Sequence, residues 1–219
     1  NGLSFCASGI PYWTADVGAF FVKTGEPWYW DGEYPATTED KGYQELYVRW
    51  YQWCCFLPLF RGHGTDCRRE VWEIAKPQSA FYQALEKMNH LRYRLLPYIY
   101  SLAGNVWLDN KSLMTPLCFT YEEDEVACQV EDSYLFGEDL LVCPVTEPMY
   151  YDKNSKPIEK TQRTRRVYLP KGNGWYDFWT DVFYEGGQWI EVDAPLDTIP
   201  VFVKEGAILS MADFTGSVE

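Results

Sequence analysis

Apolar positions along the chain change rhythm near Leu113. Before it they recur at helical spacing or gather in short unbroken runs. After it they fall into brief β-like stretches divided by glycine turns. Two early runs stand out, Gly9 to Phe20 and Phe56 to Gly64. Each is apolar and then ends abruptly in polar groups and glycine. That is the pattern of a buried parallel strand delivering side chains to the rim of a sheet or barrel. Ahead of the first, Gly2 to Ala7 reads as the tail of a helix running into it. Glu45 to Cys55 contains no helix breaker, and Leu46, Arg49, Trp50 and Trp53 fall at helical spacing. Thr65 to Ala75 is polar around Trp72. Pro77 introduces a second long helix from about Ser79, which caps it, to Ala103. Pro97 kinks or divides that helix, and Gly104 and Asn105 end it. Strand, loop, helix, strand is the repeating unit of a parallel α/β array.

Between the two runs, Lys23 to Gly42 interleaves Gly25, Pro27, Gly32 and Pro35 with Trp28, Tyr29, Trp30 and Tyr34. Glycine and proline this dense forbid a regular element. The stretch reads either as a loop overhanging a pocket or as a self-packed surface loop. From Leu113 the expected strands include Leu135–Phe136, Leu140–Val145, Arg166–Leu169, Trp175–Trp179, Gln188–Val192 and Ile199–Val203. Regular short strands with glycine turns predict an antiparallel β-sandwich. Asp152 to Arg166 is a charged connection, and Ser210 to Glu219 a tail. The fold class expected is therefore α/β followed by all-β.

Composition narrows the function. Hydrophobic residues make up 47% of 219, enough for a real core. Ten Trp and 17 Tyr are more than a core needs. Such rings either stack on the C–H faces of sugars or build an aromatic core. A net charge of -13 disfavours nucleic acid, whose binding requires Lys and Arg to replace counterions. The seven cysteines contain no CxxC pair and no His at zinc-ligand spacing, so no metal or other cofactor is expected. Cys6, Cys54, Cys55, Cys118, Cys128 and Cys143 lie in apolar text and read mostly as buried free thiols. No run has the length of a membrane helix. A buried element with no polar lead-in suggests the C-terminal part of something longer. Asp16 ends the first apolar run, and Arg61 and His63 end the second. These ends are expected to form one wall of a sugar-binding pocket.

The order of motifs adds a resemblance. Gly9-Ile10-Pro11-Tyr12-Trp13, Asp16-Val17-Gly18-Ala19-Phe20, Glu45 to Trp50 and Pro58-Leu59-Phe60-Arg61-Gly62-His63-Gly64 follow one another as they do in glycoside hydrolase family 31. Arg69-Glu70-Val71-Trp72, Leu91 to Tyr100, Phe136 to Val145 and Ile199 to Val203 continue the series to about residue 209. The resemblance implies the C-terminal portion of a (β/α)8 barrel over residues 1–112, a β-sandwich over 113–207 and a tail over 208–219. It implies a retaining, exo-acting α-glycosidase that removes terminal xylose or glucose, with the text leaning towards α-xylosidases. Two carboxylates work across the bond in such enzymes, and the resemblance puts both upstream of residue 1, so none of the residues here is catalytic. By the same resemblance His63 reaches the sugar's hydroxyls, Asp16 orients polar groups beneath it and Phe20 packs on its apolar edge. Trp13 forms part of the floor, and Arg61 supports the site by holding a carboxylate through a bidentate pair. Each has a plainer reading: Asp16 as a loop acid, His63 as a structural histidine, Phe20 and Trp13 as core. Ala19 stands where the family usually has glycine. The implied partners are an oligosaccharide or glycoside and the remainder of the barrel. The alternatives are a non-catalytic carbohydrate-binding fragment and an inactive homologue.

Overall fold

The structure is a computed structural model that describes residues 2–22, 39–65, 68–152, 154–159 and 162–213. The aromatic-rich stretch after Lys23 lies outside the described residues up to position 38. The same is true of the last part of the tail, 214–219.

Helices dominate the first half. α1 spans Gly2–Ala7, α2 Lys41–Cys54, α3 Val71–Ile74, α4 Ala80–Arg94 and α5 Leu96–Asp109. The Asp40 side chain caps α2 by accepting from the Tyr43 amide at 2.8 Å, and Ser79 caps α4 by accepting from the Tyr82 amide at 3.2 Å. Pro97 does divide the long helix: it sits in the first turn of α5, where its missing N–H is harmless. The expected stop at Gly104 and Asn105 is not used. Nothing crowds Gly104, and α5 continues to a left-handed cap at Asn110. A glycine weakens a helix but does not end one whose inner face, through Tyr98, Ile99 and Leu102, is buried. The segment around Trp72, read from the sequence only as polar, contains the short helix α3.

The two apolar runs lie side by side in parallel, but not as regular strands, and Phe56 to Leu59 still turns off the end of α2. Leu59 N–H donates to the Trp13 carbonyl at 3.2 Å, Thr65 N–H donates to the Phe20 carbonyl at 2.8 Å, and Phe21 forms a parallel bridge with Thr65. Pro11 and Pro58 have no N–H for a ladder, and Gly18 and Ala19 at positive φ turn the first run out of register.

The second half is antiparallel throughout. β1 (Met114–Pro116), β2 (Tyr134–Phe136), β3 (Leu140–Val142), β8 (Val201–Lys204), β5 (Gly174–Asp177) and β6 (Phe183–Glu185) form one sheet in that order. β4 (Thr164–Leu169) and β7 (Gln188–Asp193) form the facing pair. A short helix, α6 (Leu117–Thr120), follows β1. β1 and β6, three residues each, escaped the sequence pattern.

Strand alternation decides where the cores lie. On β3, Leu141 faces Val167, Leu169, Trp175 and Val192 inside the sandwich. Leu140 and Val142 face the other way, into one apolar core with Phe56, Leu57, Leu85, Met88 and Tyr98 from the helical half. The central strands β2 and β3 are therefore buried on both faces, while β6 at the sheet's edge is mostly exposed. Cys54, Cys55 and Cys143 are buried free thiols; burial pushes Cys55 up to about 12 and Cys143 to about 11. Cys118 is half-buried and Cys128 exposed.

Candidate functional site

The C-terminal ends of the two parallel runs converge. Arg61 Nη2 lies 2.9 Å from Asp16 Oδ1. The Phe20 and His63 rings stand 5.5 Å apart, tilted by 48°. Parallel pairing brings this about: two segments running the same way deliver their last residues to the same edge. His63 is exposed, and Asp16 and Arg61 retain 27% and 52% of their side-chain exposure. The ion pair uses a single Nη2–Oδ1 contact rather than a guanidinium fork. Half exposed, it adds less than about 1 kcal/mol to stability. Its structural consequence is that it ties the two ends together.

Trp13 is placed elsewhere. Its ring lies against Gly2, stacks on Phe5 at 6.1 Å and tilts against Trp53 at 5.6 Å. It lines a cavity of about 1280 Å³ with Leu3, Trp50, Trp53, Met114 and Phe119, on the side of the run facing α1 and α2. The structure thus brings Asp16, Arg61, Phe20 and His63 together and sets Trp13 among α1 and α2.

Four supporting side chains escaped sequence reasoning. Arg92 on α4 is buried, and its guanidinium donates to the carbonyls of Cys55, Leu57 and Pro58 at 2.8, 2.6 and 2.9 Å. It holds the root of the run that carries Arg61 and His63. The signal was present: Arg92 stands four residues after Met88, on the apolar stripe of its helix. Arg69 holds the tips. Its Nη2 donates to the carbonyls of Ala19 at 2.8 Å and Phe20 at 3.1 Å, with Thr65 at 3.4 Å. Tyr47 on α2 donates its hydroxyl to the Arg69 carbonyl at 2.8 Å. Nothing in the spacing around Arg69 announces this. Tyr43 of α2 reaches the Gly18 carbonyl at 3.2 Å, so one helix supports both runs.

Chemically, the edge offers an imidazole that donates and accepts, a carboxylate, a guanidinium and an aromatic face. That set suits a polyhydroxylated ligand with an apolar flank. Among the described residues, no three His, Cys, Asp or Glu side chains gather as a metal site.

Comparison with known proteins agrees with this fold. The family model for the glycosyl hydrolases family 31 TIM-barrel domain matches residues 1–102, and that for the family 31 C-terminal domain matches residues 110–209. An α-xylosidase of Saccharolobus solfataricus is 40% identical over 96% of this chain and 25% of its own length. Neutral α-glucosidase C of Mus musculus is 34% identical over 98% of this chain and 21% of its own. The crystal structure of a family 31 α-xylosidase from Xanthomonas citri superposes with a TM-score of 0.80 at 37% identity, covering 95% of this chain and 21% of that one. The chain therefore spans a quarter or less of the length of each of these three. Matched by both models and paralleled along almost its whole length, the chain belongs to glycoside hydrolase family 31, as a stretch of its barrel followed by its C-terminal domain.

Proposed function

We propose that this chain is the C-terminal part of a retaining, exo-acting α-glycoside hydrolase that releases terminal α-linked xylose or glucose. The observation that carries the reading is the meeting of Asp16–Arg61 and Phe20–His63 at one exposed edge. In this role His63 exchanges hydrogen bonds with the sugar's hydroxyls, Phe20 covers its apolar edge, and Asp16, oriented by Arg61, accepts from polar groups below. Trp13 contributes through the apolar wall it shares with Trp53 rather than by reaching the same edge. The two carboxylates that attack and protonate the glycosidic bond come from the remainder of the barrel, outside this chain. Xylose is favoured by the α-xylosidases among the relatives. The division at residues 112 and 113 separates the barrel stretch from the sandwich.

The test is His63→Ala in the complete protein, assayed on aryl α-xylosides and aryl α-glucosides. Loss of one polar sugar contact is worth on the order of 1–3 kcal/mol, so kcat/KM should fall roughly 10- to 100-fold. Unchanged kinetics would remove His63 from the pocket. The 219-residue chain alone should release no sugar from either substrate.

A further inference from the structure

Ala19 adopts a φ of 77°, in the left-handed region where a methyl group is strained. It directly precedes Phe20, whose ring meets His63. Two contacts hold the peptide there. The Ala19 amide donates to the Asp16 carbonyl at 2.8 Å, and the Ala19 carbonyl accepts from Arg69 Nη2 at 2.8 Å. The same Nη2 also reaches the Phe20 carbonyl, which in turn accepts from the Thr65 amide. One nitrogen thus contacts the backbone of Ala19 and Phe20 and, at 3.4 Å, the Thr65 carbonyl just past the end of the second run.

The room for this guanidinium is built into the second run. A side chain at Gly64 would strike Arg69 Nη2 and come within 2.7 Å of the Phe20 carbonyl. One at Gly62 would press on Arg69 Cβ at 3.3 Å. The glycines on either side of His63 leave the space that Arg69 fills. The Tyr47 hydroxyl fixes the Arg69 backbone by donating to its carbonyl. A strained backbone persists only where its surroundings over-determine it, and here those surroundings converge on one side chain.

We propose that Arg69 is a positioning residue for the sugar site: it holds the strained Ala19 peptide, and through it sets the spacing of Phe20 from His63. The proposal rests on the pocket reading above for its effect on turnover, and on geometry alone for the clasp. A lysine at position 69 presents one compact ammonium in place of a planar fork. Its side chain is one bond shorter, so the ammonium stops about where the guanidinium carbon stands and falls short of the three carbonyls that Nη2 reaches. Released, Ala19 relaxes towards negative φ and carries Phe20 away from His63. Glycine at position 19 takes the same φ without strain.

Three variants of the complete protein decide the matter: Arg69→Lys, Arg69→Lys with Ala19→Gly, and Arg69→Lys with His63→Ala. Arg69→Lys should lower kcat/KM about tenfold or more, the scale of a strained residue released. Adding Ala19→Gly should recover at least about threefold of that, a rescue that general destabilisation does not produce. In the His63→Ala background the Arg69→Lys loss should shrink, because the spacing it sets no longer matters. No recovery with glycine, or an undiminished loss without His63, overturns the proposal. Amide exchange of the peptide containing Thr65 reads the clasp without turnover. It should quicken in Arg69→Lys and slow again in the glycine double variant; unchanged exchange overturns the clasp. If His63→Ala alone costs no activity, the pocket reading fails while the exchange result still stands or falls by itself. If Arg69→Lys does not fold, a folded glycine double variant supports the proposal and an unfolded one overturns it.

Discussion

Gly18 illustrates how little freedom single positions near this edge have. Its φ is 68°, and a methyl group there would lie 2.5 Å from Tyr47 Cδ2 and 2.9 Å from the Tyr43 hydroxyl. Gly18→Ala therefore incurs both backbone strain and collision with a buried helix. It should lower stability by about 2–4 kcal/mol, read as a shift in the denaturant midpoint at unchanged m-value. A loss under 0.5 kcal/mol would mean that α2 yields freely. At this scale the sequence was informative about residue types and less so about their directions. Asp16, Arg61 and His63 were legible as polar ends of apolar runs. Trp13 was not, because an aromatic ring in a run with a broken ladder has no parity from which to read its side.

Elements followed their local signals where those signals were strong. α4 starts after the capping residue Ser79 as its signal indicates, whereas α2 starts at Lys41, four residues ahead of the expected Glu45 and inside the stretch expected to hold no regular element, because Asp40 caps it. β1 and β6 carried no such signal. They are strands only because neighbours pair with them. The turn between α6 and β2 shows how one carboxylate can organise several elements. Asp124 is buried; it accepts from the Tyr168 hydroxyl on β4, from the Lys171 amide at 2.9 Å and from the Ala127 amide at 3.2 Å. Burial alone would raise its pKa, but these donors together hold it below its ordinary value. A carboxyl lowered on folding stabilises the protein above its unfolded pKa of about 4, and that contribution disappears as pH falls through the folded value. Asp124→Asn should therefore cost about 1–3 kcal/mol at pH 7. The gap to the parent should narrow steadily below about pH 4 in urea titrations at stepped pH. A gap independent of pH would show that the contribution is packing and not charge.

The whole molecule is held together by α2. Glu45 accepts from the amides of Met149, Tyr150 and Tyr151, at 2.8 to 3.1 Å. One turn on, Arg49 donates to the carbonyls of Ala194, Pro195 and Thr198 at 2.9, 3.0 and 3.1 Å. Both side chains are buried, so one helix that supports the site also fastens two loops of the sandwich. Glu45→Ala strands three N–H groups and should cost on the order of 2–4 kcal/mol. Amide exchange at 149–151 should rise together with that around Gly18, because both depend on the placing of α2. A rise confined to 149–151 would show that the two halves are coupled loosely.

By itself the sequence determined the helical and sandwich halves, the family and the polar residues that end the two runs. Periodicity, caps and turn chemistry act over a few residues and are written in order along the chain. The tertiary structure alone decided that Trp13 lies among α1 and α2, that Ala19 is bent into a left-handed conformation, and that Arg69 and Arg92 hold backbone carbonyls of distant runs. The two arginine contacts depend on which main-chain oxygens lack a partner once the segments are packed. Every residue carries the same carbonyl, so no pattern of side chains could have named them.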